Sequence, residues 1–110
     1  MSTVLADNPK AWKTKLEHPI TLEIVLSKRT YILPWTQFLY ADGSNDEVRI
    51  AFATHDVVVK GRRLESLLAD VAAQRIARLE EPKRADAIEN GSELSVIREI
   101  SVLKVNGARP

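Results

Sequence analysis

Two histidines, His18 and His55, are the side chains of this chain that could exchange protons near neutral pH. His55 precedes Asp56, and a histidine beside a carboxylate is a pairing that acid–base catalysts use. The chain has no cysteine, which excludes a thiol nucleophile and thiolate zinc ligands. It also lacks the Gly-x-Ser-x-Gly and His-Glu-x-x-His patterns of serine hydrolases and zinc proteases. We therefore expect no enzyme activity, no cofactor and no metal site, and keep a small enzyme using His55 as the last of three hypotheses.

Basic side chains are concentrated in the middle of the chain. The 110 residues carry a formal net charge of only +1, but lysine and arginine outnumber acidic residues between Lys60 and Arg84. Such a local excess is found on phosphate-binding surfaces and also on ordinary solvated faces. The residues that could contact a nucleic acid or another partner are Lys60, Arg62, Arg63, Arg75, Arg78 and Trp35, the last as a stacking platform.

Residues 62–80 have the apolar spacing of one long amphipathic helix, with Gly61 as the hinge before it and Pro82 after it. The stripe that would cover a sheet consists of Leu64, Leu67, Leu68, Val71, Ala72 and Leu79. Arg75 projects from the middle of this stripe. Its guanidinium must therefore reach solvent, pair with a carboxylate or face a ligand.

A row of small residues, Ala69, Ala73 and Ala77, repeats every four positions on the opposite face of the predicted helix. Small residues at this spacing let a second helix approach closely, although alanine is also the best helix former on a solvated surface. The row predicts a homo-oligomer with helix against helix. An open sheet edge is the other surface that could serve self-association.

Alternation of apolar and polar residues predicts strands on both sides of this helix. In residues 20–27, the side chains that would face the core are Ile20, Leu22, Ile24 and Leu26. Residues 42–46 are the strongest turn in the chain, and His55-Asp56 is expected to form a second turn. The predicted strands cover residues 20–27, 30–41 with a bend after Pro34, 47–54, 57–59 and 94–105.

The fold class that follows is α+β, with an antiparallel sheet or partly closed barrel of about five strands in the order β-β-β-β-α-β and one long helix packed on it. Residues 1–19 are predicted to be an N-terminal arm anchored by Trp12, residues 20–105 a single domain, and residues 106–110 a tail. The sequence has neither a signal-peptide pattern nor an apolar run of about 18–20 residues. We expect a soluble cytoplasmic protein without a membrane partner.

The segments 32–42 and 59–64 resemble in part the first half of LytTR-type DNA-binding domains, and the small bacterial PH-like barrels share a similar strand, proline bulge and closing helix. The later part of a LytTR domain, a His-Arg-Ser element followed by Val-Asn, is absent. No DNA-contacting residue is therefore transferred to this chain.

These observations favour a small non-catalytic interaction module that self-associates. Nucleic-acid binding through the basic residues around the predicted helix is the alternative, and the small enzyme is the third hypothesis.

Overall fold

The computed structural model of this protein describes residues 12–15, 17–82 and 95–105. The first part of the predicted arm, most of the loop after Pro82 and the predicted tail lie outside this part of the chain. The elements in chain order are β1 (Trp12–Thr14), β2 (Thr21–Val25), β3 (Thr30–Pro34), a 3₁₀ turn (Trp35–Gln37), β4 (Phe38–Gly43), β5 (Glu47–Phe52), β6 (His55–Arg62), α1 (Glu65–Ala72), β7 (Ile76–Glu80) and β8 (Val96–Lys104). The predicted α+β class is confirmed, but the described residues form eight strands rather than five.

The strands form two four-stranded sheets. The first sheet has the order β1-β7-β2-β3, and its pairs are antiparallel except for β2 with β7, which run parallel. The second sheet, β4-β5-β6-β8, is antiparallel throughout. A bend after Pro34 was predicted, and the 3₁₀ turn found there carries the chain from the first sheet to the second. Both sheets are open, so the single sheet and the partly closed barrel predicted from the sequence are wrong.

One hydrophobic core is shared by the two sheets and α1. The largest side chains that are fully buried in it are Phe52, Leu22, Ile24, Ile50, Leu64, Leu67, Ile76 and Leu79. The alternation predicted for β2 is confirmed at Leu22 and Ile24. In β5, Val48, Ile50 and Phe52 are buried as predicted, but Ala51, which was expected to face outward, is buried too. Ile20 is a correction, because the chain bends before β2 and leaves this side chain 83% exposed.

Helix α1 ends at Ala72, so the long helix over residues 62–80 is wrong. The amide of Gln74 donates to the Val71 carbonyl, and the amide of Arg75 donates to the Asp70 carbonyl. Gln74 has a φ of 53°, and this left-handed residue with the two crossed hydrogen bonds forms a Schellman motif. The helix stops at this motif without a glycine.

The remainder of the predicted helix forms β7. Lys13 of β1 pairs with Arg78, whereas the next residue, Thr14, pairs with Ile76. The register slip makes Ala77 the extra residue of a β-bulge. Ile76 and Leu79 are both buried although they are three residues apart, which reproduces helical spacing within a strand.

Strand β6 begins at His55, two residues earlier than predicted. The turn after β5 consists of residues 53–54, and His55 pairs with Lys104 of β8. The prediction that His55-Asp56 forms the turn is therefore wrong.

Strand β8 pairs with β6, and the register slips by one residue between Lys60 and Gly61. Lys60 lies opposite Glu99 and Gly61 opposite Ile97, so Arg98 is the extra residue of this bulge. A Cβ atom on Gly61 would overlap the carbonyl oxygen of Val96. The close approach of the two backbones therefore requires glycine at position 61.

Both tryptophans connect elements that are far apart in the sequence. Trp12 is 4% exposed, and its indole Nε1 donates to the Asp70 carboxylate of α1 at 2.8 Å. Trp35 packs against Phe38 and Phe52, with ring centroids 5.3 and 5.5 Å away. Trp12 thus anchors its segment on the body as predicted, although as a strand rather than a turn of helix.

Within residues 12–15, 17–82 and 95–105, no helix has the length and apolarity needed to cross a lipid bilayer.

Candidate functional site

The basic residues named from the sequence lie on two different sheets. Lys60 and Arg62 belong to the end of β6 in the second sheet, and Arg63 follows directly. Arg75 precedes β7 and Arg78 lies within it, in the first sheet. The helical stripe that would have carried Arg75 ends before this residue, and the Arg75 side chain is exposed. No single helix gathers the five residues into one surface.

Carboxylates lie close to Lys60 on β6 and to Arg78 on β7, which are inner strands of the two sheets. Lys60 is the register partner of Glu47 on one side and of Glu99 on the other. Arg78 Nε lies 3.6 Å from a Glu23 oxygen and 3.9 Å from a Glu80 oxygen. Neighbouring negative charges reduce the attraction of these cations for phosphate. Contact with nucleic acid stays a prediction.

Trp35, named as a stacking residue, is only 5% exposed. Its Nε1 donates a buried hydrogen bond to the Ile76 carbonyl at 3.0 Å. Because its ring packs within the aromatic cluster of the core, it presents no face on which a base or partner side chain could stack in this structure.

The alanine row is divided among three kinds of structure. Ala69 is exposed on α1, Ala73 is the C-cap of that helix, and Ala77 is the bulged residue of β7. No helix face contains all three residues. The predicted helix-against-helix contact therefore loses its geometric basis, while self-association itself is left to the sheet edges.

The two histidines occupy separate surroundings. The Nδ1 atom of His55 lies 2.8 Å from the Thr54 hydroxyl, and its ring meets Tyr31 edge-on at 5.6 Å. The Nδ1 atom of His18 lies 3.4 Å from the Gln74 carbonyl. Among the described residues, no three His, Asp or Glu side chains converge as a metal site would require. The enzyme hypothesis for His55 stays untested.

A groove of about 690 Å³ lies on the first sheet, and the sequence reasoning missed it. Across the four strands of this sheet, Lys13, Arg78, Glu23 and Ile32 are successive register partners, and all four line the groove. Ile20 lines it as well. Ile20 is 83% and Ile32 60% exposed, the two largest exposures of any large hydrophobic side chain in the described chain.

Between β1 and β2, residues 15 and 17–20 line the groove and form one wall of it. Because β7 lies between these two strands, the segment must cross the end of β7. The amide of Lys15 donates to the Arg75 carbonyl at 3.0 Å, and the amide of Trp35 donates to the Ile20 carbonyl at 3.0 Å. These hydrogen bonds fix both ends of the wall to the body of the protein.

A second candidate surface is the open edge of β8, defined here as residues 99–104. The amide of Val105 donates to the Thr54 carbonyl, which fixes the alternation of hydrogen-bonded pairs along β6 and β8. By that alternation, the main-chain groups of Ile100, Val102 and Lys104 point away from β6. Among the residues that the structure describes, no strand pairs with this side of β8.

The open edge of β8 differs from the other sheet edges. Strand β1 has three residues, β3 ends at Pro34, and β4 is contacted by α1. Strand β8 has nine residues, without glycine or proline, and its Leu103 side chain is 55% exposed. Long, uncovered edge strands are the ones that accept another strand.

Comparisons with known proteins give this chain no family. It matches no protein-family model, no curated protein and no solved structure. The partial likeness to LytTR domains and PH-like barrels gains nothing from them, so a function must be proposed from the two surfaces themselves.

Proposed function

We propose that this protein is a non-catalytic interaction module that self-associates by antiparallel pairing of the open edge of β8 with the same edge of a second copy. The observation that carries the proposal is the row of outward main-chain groups at Ile100, Val102 and Lys104. Each unpaired group can exchange its hydrogen bond with water for one with another backbone. Strand addition of this kind is a common mode of protein recognition.

Two-fold symmetry restricts the register of such a pair. In an isologous contact, the outward groups of one copy must face the outward groups of the other. The pair is then centred on Ser101, which places Ile100 opposite Val102 of the other copy, or on Val102. The second sheet would become a continuous eight-stranded sheet. The exposed Leu103 would then lie beside Glu99 or Ser101 of the second copy.

The same geometry favours a dimer over a fibre. The far edge of the second sheet is β4, which α1 contacts. At the other end of the open edge, the bulge at Arg98 interrupts regular pairing. When the two β8 strands pair with each other, neither copy has a free β8 edge left for a third subunit. The assembly therefore closes at two subunits.

Sedimentation equilibrium across a hundredfold range of concentration tests the proposal, and we expect a reversible monomer–dimer equilibrium. Val102→Pro removes an outward N–H that makes no bond to β6, and an edge strand tolerates proline there. Val102→Thr is the matched control, because it changes the side chain but keeps the N–H. We expect the proline variant to be monomeric and the threonine variant to dimerise. A wild-type chain that stays monomeric at every concentration overturns the proposal.

Cysteine cross-linking identifies the register, since the natural chain has no cysteine. Directly opposed residues of a non-hydrogen-bonded pair have Cβ atoms about 4.5–5.5 Å apart, close to the span of a disulfide. Ser101→Cys should form a cross-linked dimer in the register centred on Ser101. In the register centred on Val102, Ser101 faces Leu103 of the second copy, so a mixture of Ser101→Cys and Leu103→Cys chains should form the mixed disulfide. Ser66→Cys, on the exposed side of α1, is the control. Cross-linking at Ser66 as efficient as at both edge positions would contradict specific pairing.

Nucleic-acid binding remains the alternative from the sequence, although carboxylates accompany Lys60 and Arg78. Binding through several phosphate contacts should weaken steeply between low and moderate salt. A salt titration with a fluorescent oligonucleotide measures this, and absence of binding at low salt removes the alternative.

A further inference from the structure

We propose that the groove on the first sheet binds a small amphipathic carboxylate, a molecule with an apolar body and one carboxylate group. The apolar body would lie against Ile20, Ile32 and Ala77, and the carboxylate would bind Lys13, Lys15 and Arg78. This site is independent of the proposed self-association, because the open edge of β8 belongs to the second sheet.

The apolar half of the groove is unusual for a protein surface. Two isoleucines that are 83% and 60% exposed lie in the same depression, and Ala77 of the β7 bulge lines it too. Single exposed apolar residues are common, but several around one concavity are typical of a ligand site. The volume of about 690 Å³ lies within the range of small-molecule sites, about 300–1,000 Å³.

The cationic half places positive charges side by side. Lys13 of β1 and Arg78 of β7 are direct register partners, and like charges that face each other across two strands repel. Lys15, two residues after Lys13, lines the groove as well. An anion between these side chains would relieve the repulsion.

Arg78 lies beside two carboxylates. Its Nε atom is 3.6 Å from a Glu23 oxygen and 3.9 Å from a Glu80 oxygen, and this buried nitrogen has no partner within hydrogen-bond distance. A guanidinium also has two terminal nitrogens, and its N–H groups form a fork of donors that matches a planar carboxylate.

The charges around the groove disfavour a dianion. Lys13, Lys15 and Arg78 contribute three positive charges, Glu17 and Glu23 contribute two negative ones, and Glu80, 3.9 Å from Arg78 Nε, contributes a third, so the balance is 3 − 3 = 0. A phosphate dianion would be repelled more strongly by these glutamates than a carboxylate monoanion would be. We therefore assign the site to a carboxylate rather than to a phosphate ester or a nucleic acid.

Titration with 4-phenylbutyrate, followed by amide NMR shifts, tests the site. We expect saturable shifts at residues of β1, β2 and β7 and none along β8. The neutral 4-phenyl-1-butanol lacks the charge and acetate lacks the apolar body, so each should bind at least about tenfold more weakly. Absence of saturable 4-phenylbutyrate binding up to its solubility limit overturns the proposal.

Variants separate the two halves of the site. The double substitution Lys13→Gln and Lys15→Gln should lower the affinity for 4-phenylbutyrate roughly tenfold or more. It should leave the weaker affinity for 4-phenyl-1-butanol unchanged. Ile32→Ser should lower the affinity for both the acid and the alcohol. Arg49→Gln, on an exposed position of the second sheet, is the matched control and should change neither. Equal affinity for the acid and the alcohol, or an unaffected double variant, would refute carboxylate recognition.

Discussion

Gly61→Ala should lower the stability of the protein, because a side chain at this position of β6 would collide with β8. The new Cβ would lie 2.9 Å from the Val96 carbonyl carbon and 3.1 Å from the Ile97 Cα, besides overlapping the Val96 oxygen. Carbon atoms pack best at about 3.5–4.0 Å, so two backbones must separate. Overpacking of this kind costs about 1–3 kcal/mol, and each ladder hydrogen bond lost costs about 1 kcal/mol more.

We therefore expect Gly61→Ala to lower the free energy of unfolding by about 2–4 kcal/mol, a large part of the 5–15 kcal/mol typical of a domain. Urea unfolding followed by circular dichroism measures it. The midpoint should fall by roughly 1–3 M at an unchanged slope of about 1–3 kcal/mol per M. The control Ser66→Ala, on an exposed position of α1, should change stability by at most about 0.5 kcal/mol. A midpoint for Gly61→Ala within error of the wild type would show that β6 and β8 do not approach this closely.

Three further substitutions test other contacts by the same unfolding measurement. Gln74→Gly should stabilise the protein by about 0.5–1 kcal/mol, because a left-handed residue at the end of α1 strains any side chain with a Cβ; a loss of stability would contradict the Schellman motif. Trp35→Phe should cost about 2–3 kcal/mol, since it leaves the buried Ile76 carbonyl without its donor and opens a void. Asp70→Ala should cost about 1–2 kcal/mol by removing the acceptor of the Trp12 indole, and no change would mean that β1 is not held to α1 by this bond.

Strand alternation was the part of the fold that the sequence encoded most directly. Leu22 and Ile24 in β2, like Val48 and Ile50 in β5, are buried at every second position, as a half-buried strand requires. The bend after Pro34 was also predictable, because proline cannot donate to the ladder. What the alternation could not reveal is that this bend separates two sheets.

The helix boundary was mispredicted for two physical reasons. Helix α1 ends at Ala72, and the left-handed residue after its C-cap is Gln74 rather than the glycine that is usual there. The bulge at Ala77 then buries Ile76 and Leu79 three residues apart, a spacing that periodicity alone assigns to a helix. The helix end without glycine and the bulge in β7 together gave residues 62–80 the apolar spacing of one continuous helix.

The groove could not be predicted from the sequence because the position of Arg78 beside Lys13 and Glu23 depends on the order of strands in the sheet. Lys13 and Glu23 become neighbours of Arg78 when β7 is inserted between β1 and β2, and its parallel pairing with β2 leaves no local signal. Glu23 and Ile32, by contrast, are partners within the local β2-β3 hairpin. The open edge of β8 was foreseen only in general terms, as a sheet edge available for assembly.

The insertion of β7 between β1 and β2 also has a consequence for how the chain emerges from the ribosome. Until residue 80 has been synthesised, neither of these earlier strands has its β7 neighbour, and the apolar residues of β1, β2 and β3 cannot complete a sheet. Contacts between such distant segments close large loops and form late in folding. A nascent chain that has completed α1 but not β7 therefore exposes two strand edges, and this interval is when aggregation or chaperone binding would compete with the native structure.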